Sequence, residues 1–454
     1  MIVETKMNRS CSCAQAFGRV SSALILLLCV PAINAAQLRR DEVLAETLKP
    51  YTGPIVRGVD TSTLSNKVMC GYQGWFNAEG DGAERGWVHW TKRRGPLAPG
   101  NAKFDLWPDV SELSADERFA TGFTNAIGHK LEVFSAFKKP TVLRHFQWMR
   151  VYGIDGAFVQ RFINDLRDPR ALRHNNTVLA HCREGANRFG RAYVVMYDLS
   201  GLGTNRIQEV MDDWRSLRTR MHVTEDPAYL RHRGHPLVAV WGVGFNDGRR
   251  YTIEECRRLV EFLKQDGCSI MLGVPTGFRE LNRDAVKDPE LQDVIRLADV
   301  VSPWTVGRYR GPLEAKRHGE KTWQPDVAWC AERKIDFLPV VFPGFSWFNM
   351  FGKQFDAMPR MKGEFLWSQL VAAKRAGATM IYVAMFDEVD EGTAIFKCTN
   401  DTPVSDSNRF VDYEGLPNDF YLQLTGAGAK MLRGELPITE TIPTVHPLQP
   451  ERQP

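Results

Sequence analysis

The chain has 454 residues, of which 43% are hydrophobic, 11% aromatic and 25% charged, so it can bury a large core and is not compositionally disordered. Its formal net charge is only +4. No stripe of lysine and arginine interleaved with aromatic residues is visible, which argues against nucleic acid or an anionic membrane as a partner.

The N-terminal segment predicts export. Lys6, Arg9 and Arg19 precede the apolar run "SSALILLLCVPAINAA", which ends in small residues. This pattern is typical of a secretory signal peptide, here residues 1–36, and it predicts a secreted or periplasmic protein. The apolar run is too short to span a bilayer comfortably, and no later window reaches about eighteen apolar residues. We therefore predict no integral membrane segment in the mature chain.

The remaining chain divides into three predicted parts. Residues 37–66 are polar and contain Pro50, Gly53 and Pro54, and we interpret them as an N-terminal leader that wraps the domain. Residues 67–436 are predicted to form one domain. The Pro-rich residues 437–454 are predicted to be a flexible C-terminal tail. The sequence does not indicate the oligomeric state.

Eight short apolar runs, rich in β-branched and aromatic residues, predict strands at 68–76, 154–162, 191–199, 236–245, 269–275, 299–306, 337–343 and 380–387. Segments of helical character lie between most of them, such as "TIEECRRLVEFLKQ" and "GEFLWSQLVAAKRAG". From the second strand onward the spacing is that of a strand–helix unit, and continuous apolar runs are typical of parallel strands covered on both faces. We predict a (β/α)8 TIM barrel. The alternative, a doubly wound sheet, is less favoured because no Gly-rich phosphate loop follows the first strand.

One connection is much longer than the others. Residues 77–153 form a long loop insertion after the first strand, with a helix predicted at about 139–152. Long loops in compact domains are usually functional, and in barrels they build the active-site face.

A barrel carries its active site where strands end and loops begin. At these places the sequence has aromatic, amide, carboxylate and histidine side chains, which we predict to bind substrate: Tyr72, Gln73, Trp75, His89, Trp90, Gln160, Tyr197, Asp198, Trp241, Trp304, Trp347 and Asp387. Aromatic planes stack on the C–H faces of sugars, and the polar groups can bind the hydroxyls. The predicted partner is an oligo- or polysaccharide.

The eighth strand runs into "FDEVDEGTAIFK", which has four acids in five positions. Glycosidic cleavage needs two carboxyl groups, and Glu388 and Glu391 can supply both from one loop. Mutual repulsion would raise the pKa of at least one of them. Two other interpretations are open: the acids could cap a following helix, or they could form a calcium loop, although the alternating ligand spacing is absent.

Six cysteines follow the predicted signal: Cys70, Cys182, Cys256, Cys268, Cys330 and Cys398. Six cysteines allow fifteen full disulfide pairings, and the sequence does not select one. They show no metal-ligand spacing. We predict no cofactor and no metal.

Three motifs resemble a known group of enzymes. The segments "GYQGWF", "IDGAFVQRF" and "FDEVDEGTAIFK" resemble bacterial proteins of glycoside hydrolase families 71 and 99, the second of which contains the endo-α-mannosidases. The resemblance covers roughly residues 66–434. It implies a barrel, a glycan substrate and a retaining mechanism. The family 99 motif "NEWHEGT" aligns with "DEVDEGT" and places both family glutamates on Glu388 and Glu391. By that resemblance, Glu388 is the base that acts on the sugar 2-hydroxyl, and Glu391 is the acid at the leaving oxygen.

The motif also departs from the family pattern. Val389 and Asp390 replace the family's tryptophan and histidine, Asp387 replaces its asparagine, and only the aromatic pattern of the family's first-strand motif is shared. The substrate is therefore left open between an α-mannan, an α-glucan and another α-linked glycan. Two alternative functions are a non-catalytic glycan-binding protein and a hydrolase for a non-sugar substrate on the same barrel.

Overall fold

A computed structural model describes residues 38–444. The predicted signal peptide, residue 37 and the end of the predicted tail, residues 445–454, lie outside the described residues. Residues 437–444, the described part of that tail, contain neither helix nor strand.

The central sheet is parallel, and its strands are β1 Val68–Tyr72, β2 Gly156–Phe162, β3 Ala192–Asp198, β4 His235–Trp241, β5 Ser269–Pro275, β6 Val300–Trp304, β7 Asp336–Phe337 with Val340–Val341, and β8 Ile381–Val383. Each predicted apolar run overlaps one of these strands. A short extra strand, Arg231–His232, pairs antiparallel with β4. The eighth strand is shorter than predicted, so the acids at 387–391 lie in the loop after it.

The sheet closes on itself through β7. The first part of β7 pairs with β6, with Asp336 opposite Val300. The second part pairs with β8, with Val341 opposite Val383, and β8 in turn pairs with β1. The prediction of a (β/α)8 barrel is confirmed. The two-residue interruption of β7 is a difference from the continuous strand that the sequence predicts.

Alternation along the strands divides the core into two layers. On β3, Val194 and Met196 belong to the cluster inside the barrel, together with residues such as Met271 of β5. Their neighbours Val195 and Tyr197 belong to the larger cluster between strands and helices. Successive side chains of a strand point to opposite faces, so each strand serves both layers.

The helices surround this sheet and are α1 Arg40–Thr47, α2 Lys139–Tyr152, α3 Pro169–Phe189, α4 Gln208–Ser216, α5 Ile253–Gln265, α6 Glu290–Ile295, α7 Pro312–His318, α8 Gln324–Glu332, α9 Phe348–Phe351, α10 Glu364–Arg375 and α11 Phe420–Leu432. Short 3₁₀ turns lie at Ala115–Glu117, Asp165–Arg167, Val223–Glu225 and Met361–Gly363. Single π-helical turns follow α4 and α7, at Leu217–Met221 and Gly319–Trp323. Within residues 38–444 no helix has the length and apolar character that crossing a bilayer requires.

The insertion after β1 has a fold of its own. It contains an antiparallel hairpin, Arg118–Thr124 with Lys130–Phe134, and ends in α2 near the predicted position. Trp90, Phe104, Trp107 and Phe134 are buried and form an aromatic core in the insertion. Trp90 packs edge to face against Phe104 and Phe134, and Phe104 packs at a tilt against Trp107. The hairpin was not predicted, because its alternating half-exposed residues lack a strong apolar run.

The predicted leader contains one helix, α1, whose Val43 and Leu44 are buried against the barrel. The Asn176 side-chain amide on α3 donates a hydrogen bond to Thr47 Oγ1 at 2.9 Å. The six cysteines that follow the predicted signal peptide are all buried, and none forms a disulfide within residues 38–444.

Candidate active site

A cavity of about 550 Å³ opens at the carboxyl ends of the barrel strands. Most of the predicted site residues line it: Gln73, Trp75, Gln160, Asp198, Trp241, Trp304, Trp347, Glu388 and Glu391. Because all eight strands are parallel, their carboxyl ends meet at one rim and bring together residues that are far apart in the chain. This is the place where a barrel of this kind carries its chemistry.

The loop after β8 is anchored by Asp387, which is fully buried. Its two carboxylate oxygens accept hydrogen bonds from the backbone N–H groups of Gln73 at 2.7 Å and Gly74 at 2.8 Å. Burial raises the pKa of Asp387 to about 7, and the two backbone donors oppose that rise. Asp387 does not line the cavity. It fixes the loop of the two glutamates to the end of β1.

The insertion and the β7 loop hold the same acidic loop from its other side. The backbone N–H of Asp105 donates to the carbonyl of Val389 at 3.0 Å, and the N–H of Ser346 donates to the carbonyl of Glu391 at 2.9 Å. Gly392 follows with a φ of 68°, a left-handed conformation that glycine adopts without strain. Glu391 therefore sits just before a sharp turn that is tied to both neighbours.

Glu388 and Glu391 face the cavity together and influence each other. Thr393 Oγ1 donates a hydrogen bond to Glu388 Oε2 at 3.1 Å. Burial raises the pKa of Glu388 well above its usual range, and the charges of Glu391 and Asp390 raise it further. Burial also raises the pKa of Glu391 to about 8, again with a contribution from Asp390. Such a pair retains a proton near neutral pH, which an acid catalyst requires.

Asp390 lies between the two glutamates in the sequence and is buried. Its Oδ2 accepts a hydrogen bond from His89 Nδ1 at 2.9 Å, and the ammonium of Lys103 lies 4.0 Å from the same oxygen. Both partners belong to the insertion. His89 does not line the cavity; it stacks on Trp75, with ring centroids 3.8 Å apart and planes 7° from parallel. Burial lowers the pKa of His89.

Aromatic side chains form much of the cavity wall. Trp241 and Trp304 meet edge to face with centroids 5.4 Å apart, and Trp75 stacks on Phe162 at 4.8 Å. Trp347 belongs to the β7 loop, near Glu391. Flat apolar walls beside carboxyl and amide groups suit a sugar ring, whose C–H faces stack while its hydroxyls form hydrogen bonds.

Three predicted substrate-binding residues lie in the packed interior instead. The Tyr72 hydroxyl shares a 2.8 Å hydrogen bond with His145 on α2. Trp90 packs in the aromatic core of the insertion, with its ring centroid 4.3 Å from that of Phe76. The Tyr197 hydroxyl donates to Asp213 Oδ2 at 2.7 Å. All three are fully buried and do not line the cavity.

The cavity wall also includes residues that the sequence prediction did not name, among them Phe162, Ser200, Phe245 and Arg308. All of them lie within two residues of a predicted strand end, so position along the chain was a usable signal for them. Arg308 is paired with Asp284 at 2.8 Å. Lys103 could not be predicted from the sequence, because nothing in the insertion shows which of its residues contact the barrel rim.

The helix-capping interpretation of the acidic loop is wrong. The next helix after Glu391 in the described chain is α11, which begins at Phe420. The calcium interpretation gains no support either: within residues 38–444, no group of three or more His, Cys, Asp or Glu side chains has a geometry that could hold a metal ion.

The amino-acid sequence matches no protein-family model and no curated protein. The structure, in contrast, resembles solved glycoside hydrolases. It superposes on the GH99 endo-α-mannosidase from Bacteroides thetaiotaomicron with a TM-score of 0.61 and 16% sequence identity, over 82% of this chain and 99% of the other. A glycoside hydrolase-like protein matches with a TM-score of 0.52 and 11% identity, over 85% and 98% of the two chains. The likeness to family 99 that the motifs indicate is thus confirmed at the level of the fold.

Proposed function

We propose that the protein is a glycoside hydrolase that cleaves an α-linked glycan in the barrel cavity. The observation that carries this proposal is that Glu388 and Glu391 line one cavity with Trp75, Trp241 and Trp304. Cleavage of a glycosidic bond generally requires two carboxyl groups, and aromatic side chains beside them can stack on the sugar rings. The fold-level likeness to a family 99 enzyme supports the same conclusion.

We assign the two glutamates different roles. Glu388 removes the proton from the sugar 2-hydroxyl, O2 attacks C1, and Glu391 gives its proton to the leaving oxygen as the glycosidic bond breaks. Water then opens the 1,2-anhydro ring at C1, with Glu391 accepting the water proton and Glu388 returning its proton to O2. Two inversions at C1 give net retention of configuration. Burial and neighbouring negative charges raise the pKa of both glutamates, which favours a pair that keeps one proton near neutral pH; we assign that proton to Glu391 and the charged form to Glu388.

We propose an oligo- or polysaccharide of the α-mannan or α-glucan type as the substrate. A second cavity of about 220 Å³ shares Ser200 and Asp247 with the first and extends the cleft along the loops after β3 and β4. Such a cleft offers room for sugar units beyond the bond that is cut. The predicted signal peptide leads us to place this activity outside the cytoplasm, which fractionation of cells expressing the full chain tests.

A screen of α-linked oligosaccharides tests the proposed function. The wild-type protein is incubated with α-mannosyl and α-glucosyl oligomers, and products are identified by chromatography and mass spectrometry. Glu388→Gln and Glu391→Gln are each expected to lower hydrolysis by about 10²–10⁴-fold, because each removes one proton-transfer group. Glu332→Gln, an exposed glutamate on α8, is the matched control. Hydrolysis at the wild-type rate in either site variant contradicts the assignment.

The same screen separates the enzyme from a non-catalytic glycan-binding protein. A binding protein retains an oligosaccharide in a calorimetric titration and releases no product from it. A hydrolase for a non-sugar substrate neither binds nor cleaves any member of the panel.

A further inference from the structure

Asp390 is the one acid of the loop whose role the proposed mechanism leaves open. Its side chain is 1% exposed, and its Oδ1 has no hydrogen-bond partner within residues 38–444. A buried, half-satisfied carboxylate costs free energy, so its presence between the two glutamates calls for a compensating role.

The contacts of Asp390 come from the insertion. His89 donates to Oδ2 at 2.9 Å, and the ammonium of Lys103 lies 4.0 Å from that oxygen. Lys103 is partly exposed, so its charge is solvated, whereas the carboxylate is not. The backbone N–H of Asp105 fixes the adjacent Val389 carbonyl at 3.0 Å. The insertion thus holds Asp390 in place with one neutral donor and one nearby cation.

We propose that Asp390 and Lys103 are a positioning pair that sets how tightly the Glu388–Glu391 pair holds its proton. Asp390 acts through the field of its negative charge and touches no substrate, and Lys103 opposes it with a positive charge. The proposal rests on the assignment of Glu388 and Glu391 as the reacting carboxyls. It adds that the insertion tunes the pH range in which they work.

The charges around Glu391 agree with this assignment in sign. The charges of Asp390 and Asp198 raise the pKa of Glu391, whereas Lys103 and the nearby Trp347 lower it. Glu388 responds to Glu391 and Asp390 in the same upward direction, with Gln73 and Thr393 opposing. His89, the remaining titratable group in contact with Asp390, has a lowered pKa and is neutral at neutral pH. Among these groups, Lys103 is the single cation.

The test uses two substitutions with opposite expected signs. Asp390→Asn keeps the shape and can still accept the His89 hydrogen bond, but removes the negative charge. Lys103→Met keeps most of the length of the side chain and removes the positive charge. Asp390→Asn is expected to move the titration midpoint of Glu391 down by about one pH unit, and Lys103→Met is expected to move it up. A purely structural disturbance has no reason to act with opposite signs.

The midpoint is measured without catalysis, from the infrared band of the protonated carboxyl group, which is assigned by its loss in Glu391→Gln. Asp212→Asn is the control for the midpoint, because Asp212 is exposed on α4, does not line the cavity and pairs with Arg215 at 2.7 Å. With an identified glycan, the alkaline limb of the kcat/KM profile is expected to move in the same directions. Equal shifts of the same sign, or no shift in both variants, overturn the proposal. If no glycan is cleaved, the infrared midpoints still decide it, so its failure is distinct from failure of the proposed function.

Asp390→Asn could fail to fold, because the residue is buried. Lys103→Met then decides alone, since Lys103 is partly exposed and its removal leaves the His89 hydrogen bond in place. The proposal is supported if the titration midpoint of Glu391 moves up in Lys103→Met and stays at the wild-type value in Lys103→Arg, which keeps the positive charge. A midpoint unchanged from wild type refutes it.

Discussion

The carboxylate of Asp387 binds the backbone of Gln73: Oδ1 accepts the Gln73 N–H at 2.7 Å, while Oδ2 accepts the neighbouring Gly74 N–H. This relationship joins the last strand of the barrel to the first at the cavity rim. Two adjacent donors require two acceptors, which only the carboxylate form of this side chain supplies. Asp387 therefore has a structural role: it holds in place the loop that carries Glu388 and Glu391.

Asp387→Asn is expected to lower the free energy of unfolding by about 1–3 kcal/mol at pH 8, because the amide directs an N–H₂ group toward one backbone N–H and leaves it unsatisfied. Urea denaturation measures the change. Asp406→Asn is the control, since Asp406 is exposed. A loss no greater than that of the control would show that the two hydrogen bonds do not stabilise the loop.

Glu391→Gln is expected to raise thermal stability at alkaline pH. In the folded protein the pKa of Glu391 is about 8, above the ordinary 4.5, so the folded state binds the extra proton between these values. Unfolding therefore becomes easier as pH rises through about 8, and a neutral glutamine does not lose that stability. The melting temperature of the variant, relative to wild type, should increase from pH 5 to pH 8.5. A constant difference across this range contradicts the raised pKa.

Trp304→Leu is expected to weaken glycan binding without large loss of stability. Trp304 lines the cavity beside Trp241, and under the proposed function its ring stacks on a sugar. Loss of an aromatic contact worth about 1 kcal/mol raises KM several-fold and leaves kcat similar when the ring contributes equally to ground and transition states. Trp329→Leu is the control: Trp329 lies on α8, outside the cavity, below the guanidinium of Arg333. Equal KM values for the two variants contradict the stacking role of Trp304.

Tyr197→Phe is expected to change stability and leave KM unchanged. The Tyr197 hydroxyl donates to Asp213, whose carboxylate also binds Arg161 through two hydrogen bonds, at 2.5 and 2.6 Å. Removing the hydroxyl costs about 0.5–1.5 kcal/mol of folding free energy. Urea denaturation and steady-state kinetics measure the two quantities. A raised KM with unchanged stability would return Tyr197 to the substrate-binding residues.

The barrel could be predicted from the sequence because each strand is a continuous apolar run, and strand–helix spacing is a local property. The two misplaced tyrosines illustrate the limit of predicting a site from strand ends alone. Tyr197 neighbours Met196, and alternation sends Met196 to the barrel interior and Tyr197 to the helix layer. That signal was present in the sequence. Counting from the strand's interior positions would have excluded Tyr197.

The contacts of the insertion could not be predicted in the same way. His89 and Lys103 meet Asp390 only because the hairpin and the aromatic core fold the insertion back over the barrel rim. No periodicity within the insertion encodes that return, since long-range packing decides it. The glutamate pair could be predicted from one short motif. The residues that contact Asp390 could be identified only from the three-dimensional structure.

The distance along the chain between the site's two halves has a consequence for biosynthesis. Gln73 and Asp387 are 314 positions apart, and His89 and Asp390 are 301 apart. A ribosome-bound chain that ends before the last barrel strand therefore has neither the carboxyl pair nor the closed rim. Slow formation of such non-local contacts is typical of high contact order. The cavity and its carboxyl pair should thus be complete only after nearly the whole polypeptide has been synthesised.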